Sequence, residues 1–338
     1  MAATPSISIV IPTFLGGSRL PRTLASLERS QAPDGFEVLV VDDGSSDDSA
    51  AVARGFAGRL ALTVLSHEGN RGRAAARNTG IRAAAGRVVL LLDDDMEVEP
   101  DLVGRHAAAH AEGKPVAAIG RIVTEGLDAK DPFHAFLLHE DEWRRTRLLS
   151  APAIGFGEML TGQFSIDRAA ALSAGLFDEA IGAYGLEDIE FAYRLERAGV
   201  RFVYLDEAVS HHRAYAVALD RYCERHRAVG RVAAHLARRH DTPEMRRYLR
   251  IDPVPTAGRR SPFRRLMDAS AAMLRRPPVA AALAGPGPQS LLRGITRALE
   301  AARLRRALAL AYSFQRDVQY FAAMGRARSK GADAEARS

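Results

Sequence analysis

Three consecutive acids, Asp93, Asp94 and Asp95, end the apolar run Val88 to Leu92 in the segment RVVLLLDDDMEVEP. Side chains alternate along an extended chain, so Asp93 and Asp95 can share a face while Asp94 turns elsewhere. Two hard oxygen ligands so placed suit a divalent cation, with nucleotide phosphates supplying further oxygens. A solvated turn, or first-turn acids of a following helix, would use the same residues without chemistry. FEVLVVDDGSSDDS repeats the arrangement at an earlier strand end: Asp42 and Asp43 there can accept hydrogen bonds from a ribose or a base N–H. A helix cap and turn built on Ser46 and Asp47 is the structural alternative. A third acidic group, Glu187, Asp188 and Glu190 in GLEDIEFAYRLERAG, opens an amphipathic helix. The helix dipole favours acids in a first turn. Gly182, Tyr184 and Gly185 just upstream, however, resemble a ligand-facing loop, and a carboxylate placed beside it could serve as general base.

The elements that must position these acids alternate. ISIVIP, a helix marked by Leu20, Leu24 and Leu27, FEVLVV, an Ala-rich helix, LALTVL, RAAARNTGIRAAAG, RVVLLL and a helix from about Pro100 follow one another over the first 125 residues. Such a series predicts right-handed crossovers and a doubly wound, mainly parallel sheet, whose strand ends are the usual place for a ligand. Val88 to Leu92 is apolar at every position, as a central strand covered on both faces should be, and Gly86 stops the helix before it. After about Gly126 the pattern passes into a less regular stretch, HAFLLHEDEWRRTRLL, and then MLTGQFSI, a helix, GLEDIEFAYRLERAG and the strand RFVYL, a second subregion that completes one site. IDPVPTAG and GPGPQS read as linkers or turns, and a long helical pattern runs from Ser290 to about Arg326. The expected division is a catalytic domain over 1–245 and a basic, mainly helical C-terminal extension over 246–338.

Composition narrows the classes. With 47% hydrophobic and 26% charged residues over 338 positions, the chain can bury a sizeable core, and disorder, collagen and a disulfide scaffold are excluded. The single cysteine, Cys223, can form neither an intrachain bridge nor a thiolate metal cluster. The net charge of +6 is unevenly spread: residues 251–338 hold 16 Lys or Arg against 6 Asp or Glu, a net of +10, which leaves −4 for the first 250. A net acidic catalytic region argues against nucleic acid as a partner. The sequence shows neither a signal-like start nor a membrane-length apolar segment, which predicts a cytoplasmic protein. In the tail, Leu291, Leu292, Ile295, Leu299, Leu304 and Leu308 recur at helical spacing while Arg293, Arg297, Arg303, Arg305 and Arg306 occupy other faces. That pattern fits a peripheral contact with the inner face of a membrane, and equally a helix packed on protein or at a dimer contact.

Taken in order, IVIPTF, VVDDGSSDD, NRGRAAARNTGIRAAAG, LLDDDMEVEP and MLTGQFSIDRAAALSAGLFDEAIGAYGLEDIEFAYRL resemble the motif series of family 2 glycosyltransferases with the GT-A fold, over roughly residues 6–240. The resemblance implies an α/β, doubly wound GT-A domain that moves a sugar from a nucleotide sugar (UDP-, GDP- or dTDP-linked) to a hydroxyl of a glycan, lipid or small-molecule acceptor, with inversion and with Mn²⁺ or Mg²⁺ as cofactor. It implies that Pro12 and Thr13 line the nucleotide pocket, that Asp42 and Asp43 recognise base and ribose, and that Arg77 lies near the nucleotide. Asp93 and Asp95 would be the Asp-x-Asp pair, the latter the better metal ligand, with Asp94 close to the sugar nucleotide and Asp188 as the base. Relatives often complete the metal shell with a His after the next strand; of His211 and His212 in AVSHHRAY, His211 is the expected ligand. Gly162 and Gln163 in TGQFSI, with Glu187, would face the acceptor, and Trp143 would either offer a ring to a sugar or serve packing. Leu15 stands where relatives commonly have Asn, which makes the first loop unusual. A retaining GT-A transferase would share the donor site, and a noncatalytic Mg²⁺-binding signalling module would use the strand-end acids alone but leave Glu187 to Glu190 unexplained.

Overall fold

The computed structural model describes residues 5–32, 34–111, 115–182, 185–213, 218–253 and 262–335. In chain order the elements are β1 (Ile7–Thr13), α1 (Leu20–Leu27), β2 (Phe36–Asp42), α2 (Ser49–Arg54), β3 (Leu62–Ser66), α3 (Arg73–Ala83), β4 (Val88–Leu92), β5 (Met96–Val98), α4 (Leu102–Ala109), β6 (Val116–Glu125), α5 (Pro132–Ser150), β7 (Gln163–Asp167), α6 (Arg168–Ser173), α7 (Glu187–Arg197), β8 (Arg201–Arg213), α8 (Leu219–Arg239), α9 (Pro243–Tyr248), α10 (Pro262–Leu274), α11 (Pro277–Leu283), α12 (Pro286–Ala301) and α13 (Arg305–Glu335). The first compact unit comprises 1–126, 140–182 and 187–215; the second comprises 127–139, 183–186 and 216–338.

The first unit is built on an eight-stranded sheet in the order β3-β2-β1-β4-β7-β6-β8-β5. Strands β1 to β4 pair in parallel, and so do β6 and β8, whereas β7 is antiparallel to both neighbours and β5 is antiparallel to β8. Four of the seven strand pairs are parallel, so the sheet is mainly parallel, with β5 and β7 as its antiparallel members. The chain between β6 and its neighbour β7 makes no crossover that would return it to the same end of the sheet, so β7 runs back against both flanking strands. All five residues of β4 are buried, which is why its sequence is apolar throughout: β1 and β7 pair with its edges and both faces are covered. Ile7, Ile9, Ile11, Leu90 and Leu92 meet Leu20, Leu24 and Leu27 of α1 in the core beneath the sheet. On β1, Gly80 lets α3 approach closely: a methyl group there would lie 2.2 Å from Val10 Cγ1. Thr13 is level with Asp42 in the β1–β2 register, and Asp93 follows the last residue of β4, so three carboxyl-terminal strand ends meet along one edge.

Two segments differ from the sequence reading. HAFLLHEDEWRRTRLL forms most of one helix, α5, because its apolar residues serve separate clusters and leave no single periodic stripe: Phe133 and Phe136 join one, Leu148 lies elsewhere. GPGPQS does not interrupt the chain but starts α12, since Pro286 takes the first helical position, where its missing N–H costs nothing.

In the second unit Phe133, Phe136, Tyr222 and Tyr312 form an aromatic cluster, and Asp317 on α13 accepts a bidentate pair from Arg250 at 2.9 and 2.7 Å. The helical pattern expected from Ser290 to Arg326 is divided between α12 and α13. Arg303 takes φ +55°, and the amides of Arg303 and Leu304 bond back to Glu300 and Leu299, a Schellman stop that ends α12. Part of IDPVPTAG, residues 254–258, lies outside the described residues. Among the described residues no helix is long and apolar enough to cross a membrane.

Candidate active site

At the end of β4 each of the three acids faces a different partner: the chain turns at Asp94 and Asp95, with the Met96 amide bonded back to the Asp93 carbonyl at 3.3 Å, so the alternation expected to set Asp93 and Asp95 on one face stops with the strand. Asp94 turns towards the first loop: its Oδ2 accepts from the Thr13 hydroxyl at 2.6 Å and from Arg19 Nη2 at 3.0 Å. Burial raises its pKa, and the Arg19 and Thr13 hydrogen bonds oppose that rise. Gly16 is needed here, because a Cβ would stand 2.3 Å from Asp94 Oδ2. Leu15 is held at φ +50° with its amide on Ser45 Oγ at 2.9 Å, a left-handed conformation that Asn adopts more readily than Leu.

Asp93 lies half-exposed on the other side, and its Oδ1 accepts from Arg77 Nη2 at 3.1 Å. Arg77 is only 1% exposed and donates its other terminal nitrogen to Glu187 Oε1 at 3.0 Å. One buried guanidinium thus ties the end of β4 to the first turn of α7. Burial opposes its charge, yet Asp93, Glu187 and Asp188 together raise its pKa. Two buried polar atoms of this group, Arg77 Nε and Glu187 Oε2, have no hydrogen-bond partner. Asp188, next in sequence, has its pKa pushed up to about 7 by burial and by the Glu187 charge, with Arg77 pulling the other way. The backbone reaches α7 through Gly185 at φ +93° and Leu186 at φ +69°. Tyr184 lies outside the described residues.

Asp95 faces β8. Burial would raise its pKa, but the hydrogen bond and charge of His212 outweigh it and leave it lowered. His212 Nε2 stands 3.4 Å from Asp95 Oδ2, whereas His211 pairs with Glu99 and Glu125, each at 2.9 Å. The histidine that the fold brings to the acid triplet is His212, in place of the expected His211. Met96 lies opposite His212 in the antiparallel β5–β8 pair, which sets Asp95 beside that ring.

The acids after β2 are buried and engaged. Asp42 accepts from the Ser45 amide at 3.1 Å, and Asp43 accepts from the amides of Arg71 and Gly72 at 2.9 and 2.8 Å and contacts His67 Nδ1 at 2.7 Å. His67 Nε2 in turn meets Thr79 Oγ1 at 2.9 Å, so loop 67–72 is clamped to the β2 end and to α3. Gly44, at φ +75°, allows this contact: a Cβ would lie 2.5 Å from the Gly69 carbonyl carbon. Sequence reasoning missed His67 and Arg19. For His67 a signal existed, since it directly follows the strand LTVLS at the same edge; for Arg19 there was none.

Of the residues expected to face an acceptor, Gly162 lies against Asp93, whose amide donates to the Gly162 carbonyl at 3.1 Å. Glu187 is fixed by Arg77. Gln163 is wholly buried instead, with its amide on Ala208 O at 2.8 Å and its oxygen accepting from Ser210 at 2.6 Å. Gln163 also meets His106, and His106 and His110 share Ser165 Oγ; burial lowers the pKa of the two histidines to about 3 and about 4 respectively, keeping both neutral. Pro12 occupies β1 beside Val41. Trp143 is half-exposed beneath the Arg147 guanidinium, 4.8 Å from its ring, and so does not serve as core packing.

Carboxylates and an imidazole are appropriate donors for Mn²⁺ or Mg²⁺. Among the described residues no three such side chains converge tightly enough to hold a cation alone. Of such donors, the fold brings His212 to within 3.4 Å of Asp95.

Residues 8–168 match the family described as glycosyl transferase family 2. The chain carries a family 2 glycosyltransferase domain. Relatives of the domain include the uncharacterized glycosyltransferase YfnE of Bacillus subtilis (strain 168), 26% identical over 62% of this chain and 64% of that protein. Validoxylamine A glucosyltransferase of Streptomyces hygroscopicus subsp. limoneus is 33% identical over 58% of this chain and 49% of its own length. The chain thus spans less than two thirds of either relative. Among solved structures, mannosyltransferase PcManGT from Pyrobaculum calidifontis, in complex with GDP-Man and Mn²⁺, superposes with a TM-score of 0.64 over 94% of this chain and 86% of that one, at 21% identity. The glycosyltransferase domain has the GT-A fold.

Proposed function

We propose that this chain transfers a sugar from a nucleoside diphosphate sugar to an acceptor hydroxyl, with inversion, and that Asp188 is the general base. The observation that carries the reading is the Asp93–Arg77–Glu187 bridge, which sets a proton-accepting carboxyl of raised pKa beside the strand-end acids. A general base gains strength as its pKa rises towards the working pH, so a carboxyl shifted to about 7 is poised near neutral pH.

Each residue then has a defined task. Asp188 takes the hydroxyl proton while the acceptor oxygen forms its bond to the anomeric carbon and the bond to the donor phosphate breaks on the opposite face. Arg77 holds Glu187 and Asp93 in register, so that the base and the donor-side acid keep their spacing. Asp95 and His212 would hold a divalent cation, whose chemistry when bound is to neutralise the departing diphosphate. Asp94, locked by Thr13 and Arg19, fixes the first loop rather than ligating. Asp42 and Asp43 shape the nucleotide pocket by holding Ser45 and loop 67–72 in place. The mannosyltransferase neighbour's GDP-Man and Mn²⁺ are consistent with this donor class and cation.

Thermal unfolding in the presence of UDP-, GDP- and dTDP-sugars, with and without Mn²⁺, tests the proposal. A ligand at 100 times its Kd stabilises by about 2.7 kcal/mol, so one nucleotide class should raise the Tm by several degrees, and more so with Mn²⁺. An unchanged Tm with every nucleotide sugar in the presence of Mn²⁺ would contradict it.

A further inference from the structure

The outward face of α12, in the second unit, carries large apolar groups that nothing in the fold covers. Leu291 is 67% exposed and Ile295 46%, one turn apart, and Leu304 just beyond the helix is 52% exposed. This exposure is imposed by the opposite face. Thr296 Oγ1 accepts from Gln315 Nε2 of α13 at 2.8 Å, and Glu300 accepts from the Tyr312 hydroxyl at 2.7 Å. Those two bonds fix the rotation of α12, and turning Leu291 and Ile295 inward would break both. Gly287, Gly294 and Ala298 continue the outward face with little relief, so it is smooth as well as apolar.

Its border is basic. Residues 286–306 contain Arg293, Arg297, Arg303, Arg305 and Arg306, all exposed, and a single acid, Glu300, which is engaged by Tyr312. Arg293 and Arg297 stand one turn apart along the opposite border of the outward face, across Gly294 and Ala298 from Leu291 and Ile295. A helix lying on this outward face meets an interface with its large apolar groups along one edge and its arginines along the other, and the long arginine stem lets the charge reach a headgroup. At 16 residues α12 is about 24 Å long, enough to lie in an interface plane.

We infer that α12 and the turn after it form a membrane-docking surface selective for anionic lipid headgroups. The apolar stripe enters the headgroup boundary and the arginines pair with lipid phosphates. The charge selects this occupant: a surface with five exposed arginines is complementary to an anionic bilayer, and facing a second copy of itself would set like charges together.

Co-sedimentation of the full chain with phospholipid vesicles tests the inference independently of transferase activity. The wild type should bind vesicles of equal parts phosphatidylglycerol and phosphatidylcholine, much less to phosphatidylcholine alone, and release as salt is raised. The pair Arg293→Gln/Arg297→Gln should weaken binding by about 25-fold, taking about fivefold per basic residue near the surface. Leu291→Gln/Ile295→Gln should weaken it at least as much, and circular dichroism should show both variants folded, since none of the four side chains is buried. Equal binding to neutral vesicles, or binding unaffected by either pair, would overturn the inference. So would a dimer that Leu291→Gln/Ile295→Gln converts to monomer, which would make the face a self-interface.

Discussion

Asp188→Asn is expected to lower kcat by about 10²- to 10⁴-fold while leaving the nucleotide-sugar Kd within a factor of about two. The substitution keeps side-chain size but removes the proton acceptor. Donor binding should survive, because the hydrogen bond of Asp188 lies within its own turn, its Oδ1 accepting from the Ile189 amide at 2.8 Å. Glu187→Gln is the informative companion: it should disturb the Arg77 bridge and so affect donor binding and rate together. Steady-state kinetics with the donor varied, alongside calorimetric donor binding, separate the two. Loss of donor affinity in Asp188→Asn with an unchanged turnover rate would remove it from the role of base.

The second large effect is expected at Asp95. Its carboxyl stays charged despite burial because His212 faces it, and Asn would keep the volume while removing the charge that a cation needs. Asp95→Asn should cost more than about 3 kcal/mol of transition-state stabilisation, over 10²-fold in rate, and donor binding should lose its dependence on Mn²⁺. His212→Ala should weaken apparent Mn²⁺ affinity by about 10- to 100-fold, whereas His211→Ala, whose partners are Glu99 and Glu125, should leave it nearly unchanged. Metal titration of activity reads all three. Full activity of the wild type after EDTA treatment would refute metal dependence altogether.

Much of this arrangement was legible in the chain. A strand apolar at every position had to lie at the centre of the sheet, whereas the turn at Asp94 and Asp95, which sends Asp93 to Arg77 and Asp95 to His212, was not legible from alternation. The choice between His211 and His212 was not legible: it depends on the parity of β8 at its meeting with β5, and the β6–β8 ladder slips at Gly120 and Arg121 before that point. Arg19 could not be linked to Asp94 either, because the two lie 75 positions apart and nothing local in the first loop announces the pair. Gln163 illustrates the converse. The family resemblance set it facing the acceptor, but the packed sheet shows it closing a buried network with His106 and Ser210. In the tail, helical spacing marked one apolar stripe, and the Schellman stop at Arg303 divides it, sending Leu308 inward and leaving Leu291 and Ile295 outside.

The most direct test of Asp188 as the base is the pH dependence of kcat/KM for sugar transfer, followed from about pH 5 to about pH 8.5 at saturating Mn²⁺. A base acts only when deprotonated, so a carboxyl raised to about 7 predicts a rate that climbs tenfold per pH unit on the acid side and levels off above neutrality. In Asp188→Asn the residual rate should lose that rise. A wild-type profile already flat at about pH 5, or the same inflection persisting in Asp188→Asn, would contradict the account.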